Sequence, residues 1–316
     1  MKTINESMRD AFLDKLYDLA RYDKNLMLLS SDMGAVTLDK YRSDFPRQFL
    51  NVGIAEENMM AIASGLALEG KNVYTFAIAP FITARCYEFI KIDLCSMDLP
   101  IKIVGVGTGF GYDDAGPTHH SIDDIAIMRV LPNLEILSPA DSSITRLMTE
   151  YSHTAQHPLY LRLDRKVLPE IESPFDMDSG FRIIKESGWA YIIAIGNMVS
   201  KALEYSKKAE SNGMGDVGVI DLFRLKPVNK KIDGVIAQKN LVTIEEHLLE
   251  GGLGSIISER ITDRNLESRL KRLGLKDFVR GFGGRENMLE VNGISESNVM
   301  SALVSHFIKM NELEWK

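Results

Sequence analysis

A chain of 316 residues exceeds what one hydrophobic core usually serves, so two domains are expected, and 45% hydrophobic against 26% charged residues is an ordinary globular balance. A net charge of −7 at pH 7, with no basic cluster, excludes a nucleic-acid or other polyanion surface. No apolar run approaches the roughly 20 residues of a membrane helix, and the charged N-terminus "MKTINESMRDAFLDK" lacks a signal-peptide core. Cys86 and Cys95, the only cysteines, have no metal-ligand spacing, so both read as buried apolar fillers and a cytoplasmic location is expected.

Taken in order, an opening helix sets Met8, Phe12, Leu16 and Leu19 on one stripe and "LMLLSS" follows as a strand. "FLNV" reads as a short strand, Gly53 as a turn, and Ala55 opens a helix. "VYTFA", "PIKIVGV", "LEIL" and "PLYLRL" are further strands, most of them separated by helical stretches. The stretch "RKVLPEIESPFDMDSG", rich in proline and acid, reads as a linker. Alternation then restarts with "AYIIAI", a helix from about residue 199, "VGVIDL", a helix, "LVTIEE", another helix, "FVRGF" as a last strand and a final helix. This rhythm predicts an α/β protein of two domains, each a mostly parallel sheet flanked by helices, over residues 1–170 and 185–316 with a linker at 171–184. Such sheets bind ligands at the carboxyl ends of their strands.

Two loops at such places carry chemistry. "NVGIAEENMMAIASGLALEG", residues 51–70, sets Glu56 and Glu57 at the head of a nearly uncharged helix. Met59, Met60, Ala63 and Ala67 lie on the face of Glu56, and Met60, Ala61 and Ser64 on that of Glu57. Either could overlie an apolar face, where desolvation disfavours an unpaired carboxylate. Either could equally be an acid complementing a helix dipole, and the pattern does not choose between them. The second loop, "VGVGTGFGYDDAGPTHHSIDD", is dense in glycines that allow close backbone approach to a ligand, and it ends on His119 and His120. Its glycine spacing is not that of a dinucleotide fingerprint.

Together, "VGIAEEN", "GLALEGKNVYTFAIAPFITARCYEFIK" and "GPTHHSIDDIAIMR" resemble the pyrimidine-binding domain of the thiamine-diphosphate transketolases. "IIAIGNMVSKALE", "VIDLFRLKPVN" and "VTIEEHLLEGGLGS" are similar to the C-terminal domain shared by transketolases, 1-deoxy-xylulose-5-phosphate synthases and 2-oxoacid dehydrogenase beta subunits. The resemblance implies that Glu56 hydrogen-bonds the aminopyrimidine of the cofactor, favouring the imino tautomer that forms the ylide, and that the transfer of a two-carbon ketol unit follows. It implies cofactor contacts for Asp32 in "LSSDM" and for Phe81 and Tyr87 in "PFITARCYEF", and donor-sugar contacts for His119. His120 stands where many relatives have glutamine, and it joins the expected substrate-binding set. Arg165 in "YLRLDR" matches the arginine that meets a sugar phosphate, and Arg9 is a second candidate.

Departures from the family pattern are also visible. The aspartate before "GPTH" is Ala115 here, with Asp113 and Asp114 shifted upstream, and a histidine twelve residues before His119 is replaced by Gly107. No "GDG"-type stretch and no Mg²⁺-site cluster of acids precedes the pyrimidine domain, so no metal ligand is expected in this chain. The expectation is one subunit of a split, two-subunit transketolase whose N-terminal partner grips the diphosphate through Mg²⁺ or Ca²⁺. A homodimeric contact giving an α₂β₂ assembly is the expected arrangement, with pentose phosphates as default substrates. The alternatives are a 1-deoxy-xylulose-5-phosphate-synthase-like enzyme, a 2-oxoacid dehydrogenase beta subunit, or an orphan half-enzyme serving as a binding or regulatory module.

Overall fold

Apolar runs too short for helices become strands, and the longer amphipathic stretches between them become the covering helices. The computed structural model describes residues 6–280 and 283–307. The first sheet holds β1 (Leu26–Ser30), β2 (Phe49–Asn51), β3 (Asn72–Ile78), β4 (Lys102–Val106), β5 (Glu135–Leu137) and β6 (Leu159–Leu163). The second holds β7 (Arg182–Lys185), β8 (Ala190–Ala194), β9 (Val217–Asp221), β11 (Asn240–Leu248) and β12 (Arg269–Leu275). Between β9 and β11 in sequence, β10 (Arg224–Lys226) leaves its own half of the chain and pairs antiparallel with β5. The orders are β10-β5-β6-β4-β3-β1-β2 and β12-β11-β8-β9-β7, parallel throughout except at β10–β5 and β7–β9.

The strands β3, β4 and β6 are buried almost without interruption, as expected of a parallel sheet covered on both faces. The opening helix, Met8–Tyr22, begins at Ser7, whose hydroxyl accepts from the Asp10 amide at 3.2 Å. It buries Met8, Phe12 and Leu16 and packs against the helix Ser142–Thr154, itself capped by Asp141. Cys86 and Cys95 are buried free thiols, held protonated by burial, with the Cys95 thiol pushed up to about 11.

One predicted strand is misplaced. The last strand of the second sheet is "RLKRLGL", not "FVRGF". Residues 278–280 carry no regular structure, and the final two residues of that stretch lie outside the described residues. The pattern deceives because β12 is an edge strand, exposed over much of its length and buried only at its end. Its arginines and lysine hide the leucine signal that hydropathy reads, as charges on edge strands do. The final helix is also two, Gly284–Val291 and Glu296–Phe307.

Candidate functional site

The loops after β1, β2, β3 and β4 build one rim at the carboxyl ends of four neighbouring strands. After β2 the chain turns at Gly53, whose φ of 73° suits a residue without a side chain, and enters the helix Glu56–Leu68. Asn51 Oδ1 accepts from the amides of Gly53 and Asp32, which ties this turn to the end of β1 and sets the exposed Asp32 in the left-handed region. The helix resolves the choice between its two acids. Glu56 is 3% exposed while Glu57 is half-buried, because Glu56 shares its face with the buried Met59, Met60 and Ala63.

The buried carboxylate is not alone. After β3 the chain winds with wide π-type turns at Phe81–Arg85 and Ile90–Ser96, a form of helix frequent at functional sites. These turns bring Arg85 to Glu56, where its Nη1 donates to Oε2 at 2.6 Å. The same guanidinium lies 4.4 Å from the centroid of the Phe81 ring. Phe81 in turn meets His119 edge-on, with ring centroids 5.0 Å apart.

The glycine-dense loop after β4 supplies the far side. Gly107, at φ 84°, leaves room that Tyr112 fills: a Cβ there would stand 2.2 Å from the Tyr112 ring. The ring is 5.9 Å from His119 and lies under Arg165, whose guanidinium is 4.5 Å from its centroid. Burial raises the Tyr112 hydroxyl, and the charges of Arg165 and Arg9 oppose that shift, so both predicted arginines act on this side of the rim. Arg165 also pairs with Asp114 at 3.2 Å, Lys166 with Asp113 at 2.7 Å, and Arg9 with its neighbour Asp10. His119 Nδ1 lies 3.0 Å from the Thr118 hydroxyl. His120 is 4% exposed and sits edge-on to Phe110, and neither ring nitrogen has a hydrogen-bond partner in the protein. Burial and the charge of His119 hold it below the usual histidine range.

Of the residues named from sequence, Glu56, Phe81, His119 and Arg165 are thus joined by a chain of contacts through Arg85 and Tyr112. Asp32 stands on the same rim through Asn51. Tyr87 does not join them: it lines a separate cleft with Cys95, Val130 and Asn133. Arg85 and Tyr112 were missed. The one signal for Arg85 was a single basic residue, four positions past Phe81, in an otherwise apolar stretch. Among the described residues no group of three or more His, Cys, Asp or Glu side chains could hold a metal ion, and no helix is long and apolar enough to cross a membrane.

Comparison with known proteins decides the lineage. Residues 5–170 match the family model "Transketolase, pyrimidine binding domain" and residues 181–299 match "Transketolase, C-terminal domain". The chain belongs to the transketolase family. It is 32% identical to an apulose-4-phosphate transketolase subunit of Actinobacillus succinogenes, over 83% of this chain and 86% of that protein. It is 29% identical to a 6-deoxy-6-sulfo-D-fructose transketolase subunit of Clostridium sp., over 93% and 92%. A solved structure described as a split gene transketolase, in an inactive beta4 tetramer, superposes with a TM-score of 0.85 at 31% identity, covering 95% of this chain and 97% of that one. As a transketolase of this thiamine-diphosphate-dependent family, the chain carries the two domains found in the C-terminal subunits of split transketolases.

Proposed function

We propose that this chain is the pyrimidine-binding subunit of a two-subunit transketolase that moves a two-carbon ketol unit from a ketose phosphate to an aldose phosphate and works only with an N-terminal, diphosphate-binding partner. The observation that carries the reading is Glu56, an almost fully buried acid at the carboxyl ends of a parallel sheet, joined through Arg85 and Phe81 to His119. The donor set suits an aminopyrimidine: a buried carboxylate is paired with a flat, N–H-bearing group that lies against an aromatic ring, and Arg85 already realises that combination.

Thiamine diphosphate, when bound, supplies the carbon nucleophile and electron sink of the reaction. Glu56 holds and exchanges a proton at a ring nitrogen of the aminopyrimidine, and its burial keeps water from competing for that bond. Phe81 offers a ring face, and Asp32 closes the rim after β1. His119 donates to the donor sugar's oxygens near the reacting carbonyl, and the unpaired nitrogens of His120 lie one residue on. Arg165, stacked on Tyr112, meets the anionic end of the sugar, with Arg9 as the second cation. The two relatives support this last assignment, since their named substrates carry a phosphate and a sulfo group. Mg²⁺ or Ca²⁺ and the diphosphate belong to the partner, and two copies of each chain give an α₂β₂ enzyme.

Reconstitution tests the proposal. The chain should bind thiamine diphosphate weakly or not at all alone, and firmly with Mg²⁺ once co-purified with a diphosphate-domain subunit, as read by calorimetry. Full affinity and turnover by the isolated chain would refute it. A second reading follows from 29% identity, over 93% of this chain, to the 1-deoxy-D-xylulose-5-phosphate synthase of Carboxydothermus hydrogenoformans, of which it spans 48%. Pyruvate serving as donor where a ketose phosphate fails would select that reading.

A further inference from the structure

We infer that Arg85 is an internal stand-in for the aminopyrimidine: in the chain on its own it occupies the Glu56–Phe81 seat, and the cofactor must displace it. The inference rests on the cofactor reading above and adds a competitor to it. A protonated aminopyrimidine is a flat cation with an N–H donor in its ring plane. A guanidinium has the same features, and here it uses both, donating to Glu56 Oε2 at 2.6 Å while its carbon lies 4.4 Å from the Phe81 centroid. A pyrimidine that takes the same in-plane approach to Oε2 and the same face of Phe81 has to move the guanidinium first.

Three observations make displacement physically reasonable. Glu56 is 3% exposed and fixed at a helix start, whereas the Arg85 side chain is 37% exposed, so the arginine is the partner with room to leave. Arg85 ends a π-type turn, a form of helix frequent at functional sites, and no hydrogen bond other than that to Glu56 is found for its guanidinium among the described residues. Chemically, a guanidinium keeps its proton throughout the working pH range, so with Arg85 in place Glu56 has no partner with which to exchange one. A bond to a pyrimidine nitrogen, which can lose and regain a proton, restores that exchange. Arg85 thus protects a buried carboxylate from standing unpaired before assembly and delays cofactor capture until the second subunit contributes binding of its own.

A competitor of this kind lowers apparent affinity by the fraction of chains in which it is docked. The test uses the full chain and 4-amino-5-hydroxymethyl-2-methylpyrimidine, a probe that needs nothing from the partner subunit, with binding read by ligand-observed NMR. Arg85→Ala should bind the probe about ten-fold more tightly than wild type. Adding Glu56→Gln to that variant should erase the gain, which a merely structural role for Arg85 would not produce. If the alanine variant loses its fold, by circular dichroism, Arg85→Met keeps the apolar stem over Phe81 and should show the same gain. Equal affinity of wild type and the folded variant, including no binding by either, overturns the inference, as does a gain that survives Glu56→Gln. The two readings fail separately. A Glu56-dependent gain in a protein whose complex lacks ketol transfer would sink only the proposed activity, and an active complex with no gain would sink only the stand-in.

Discussion

At the scale of single residues the site turns on how a carboxylate comes to be buried. Glu56 can sit at 3% exposure because a charge-assisted bond from Arg85 compensates the water it has lost. Burial alone would not mark it as catalytic, since Asp124, Asp164 and Glu245 are at least as buried and face other partners. What supports the proposed role is its position, at the head of the helix after β2 and on the same rim as His119. In the reconstituted complex, Glu56→Gln should lower turnover by at least ~10², the usual contribution of a positioned acid–base group. The change keeps the side chain's shape and should leave the thermal midpoint of the chain nearly unaltered. Near-normal turnover would remove Glu56 from the mechanism. Gly107 makes a related point, because the histidine of the family pattern is absent here and the Tyr112 ring takes up the space a side chain at Gly107 would need.

At the scale of elements, the end of β11 explains how a strand reaches across to the other sheet. Its register against β12 shifts between Ile244 and Leu248, and the intervening Glu245, Glu246 and His247 are all buried. Glu245 accepts from the amides of Leu253 and Gly254 at the start of the next helix, at 2.5 and 2.8 Å. Glu246 Oε1 accepts from the Phe110 amide at 2.8 Å, in the loop that carries the two histidines. His247 Nε2 accepts from the Ala126 amide and lies 4.0 Å from Asp124, which the buried Arg162 and Tyr160 also hold. Burial pushes His247 down to about 4, with Asp124 opposing and Arg162 reinforcing that shift. Between pH 6.5 and 4 the unfolded chain therefore gains a proton that the folded chain refuses, so His247 stabilises fully above 6.5 and its contribution is lost as pH falls towards 4. Glu245, pushed up to about 8 by burial, acts in the opposite sense between 4.5 and 8, since the folded state keeps the proton there. The His247 share is accordingly read as a difference. Urea midpoints of His247→Gln should fall less steeply than wild type from pH 6.5 to 4, and parallel curves would show that the imidazole is already charged in the fold.

At the scale of the whole molecule, Arg285 fastens the two sheets together behind the glycine-dense loop after β4. Its guanidinium donates to Asp164, just past β6, at 3.1 and 2.5 Å and to Glu246 on β11 at 2.7–3.0 Å, and its amide donates to Asp113. All three charged groups are nearly inaccessible. Replacing the whole cluster by well-packed hydrocarbon would cost little, but removing only the arginine strands two carboxylates side by side. Arg285→Met should therefore lower stability to urea by about 3–5 kcal/mol. It should also let the two halves of the chain unfold in separate steps, seen as two calorimetric transitions where wild type gives one. A single transition at the wild-type midpoint would show that packing alone couples the sheets. The antiparallel pairing of β10 with β5 is a further tie between the two halves of the chain.

What the sequence by itself determined is whatever repeats locally: the alternation of strand and helix, two mostly parallel sheets, the turn at Gly53, and the ordered motifs that mark a transketolase pyrimidine domain and C-terminal domain. Those signals survive because periodicity and turn chemistry depend on near neighbours in the chain. The motif resemblance singled out Glu56 over Glu57, which periodicity alone did not, and the fold buries that same residue. Tertiary structure alone decided that Arg85 answers it from 29 positions away and that Arg285 finds Asp164 across 121. It also decided that β10 crosses to the first sheet and that a charged edge strand, not "FVRGF", ends the second. Such pairings leave no local trace, because an ion pair is selected by the shared cost of desolvating two charges at one point in space, and any spacing along the chain that brings them there satisfies it equally.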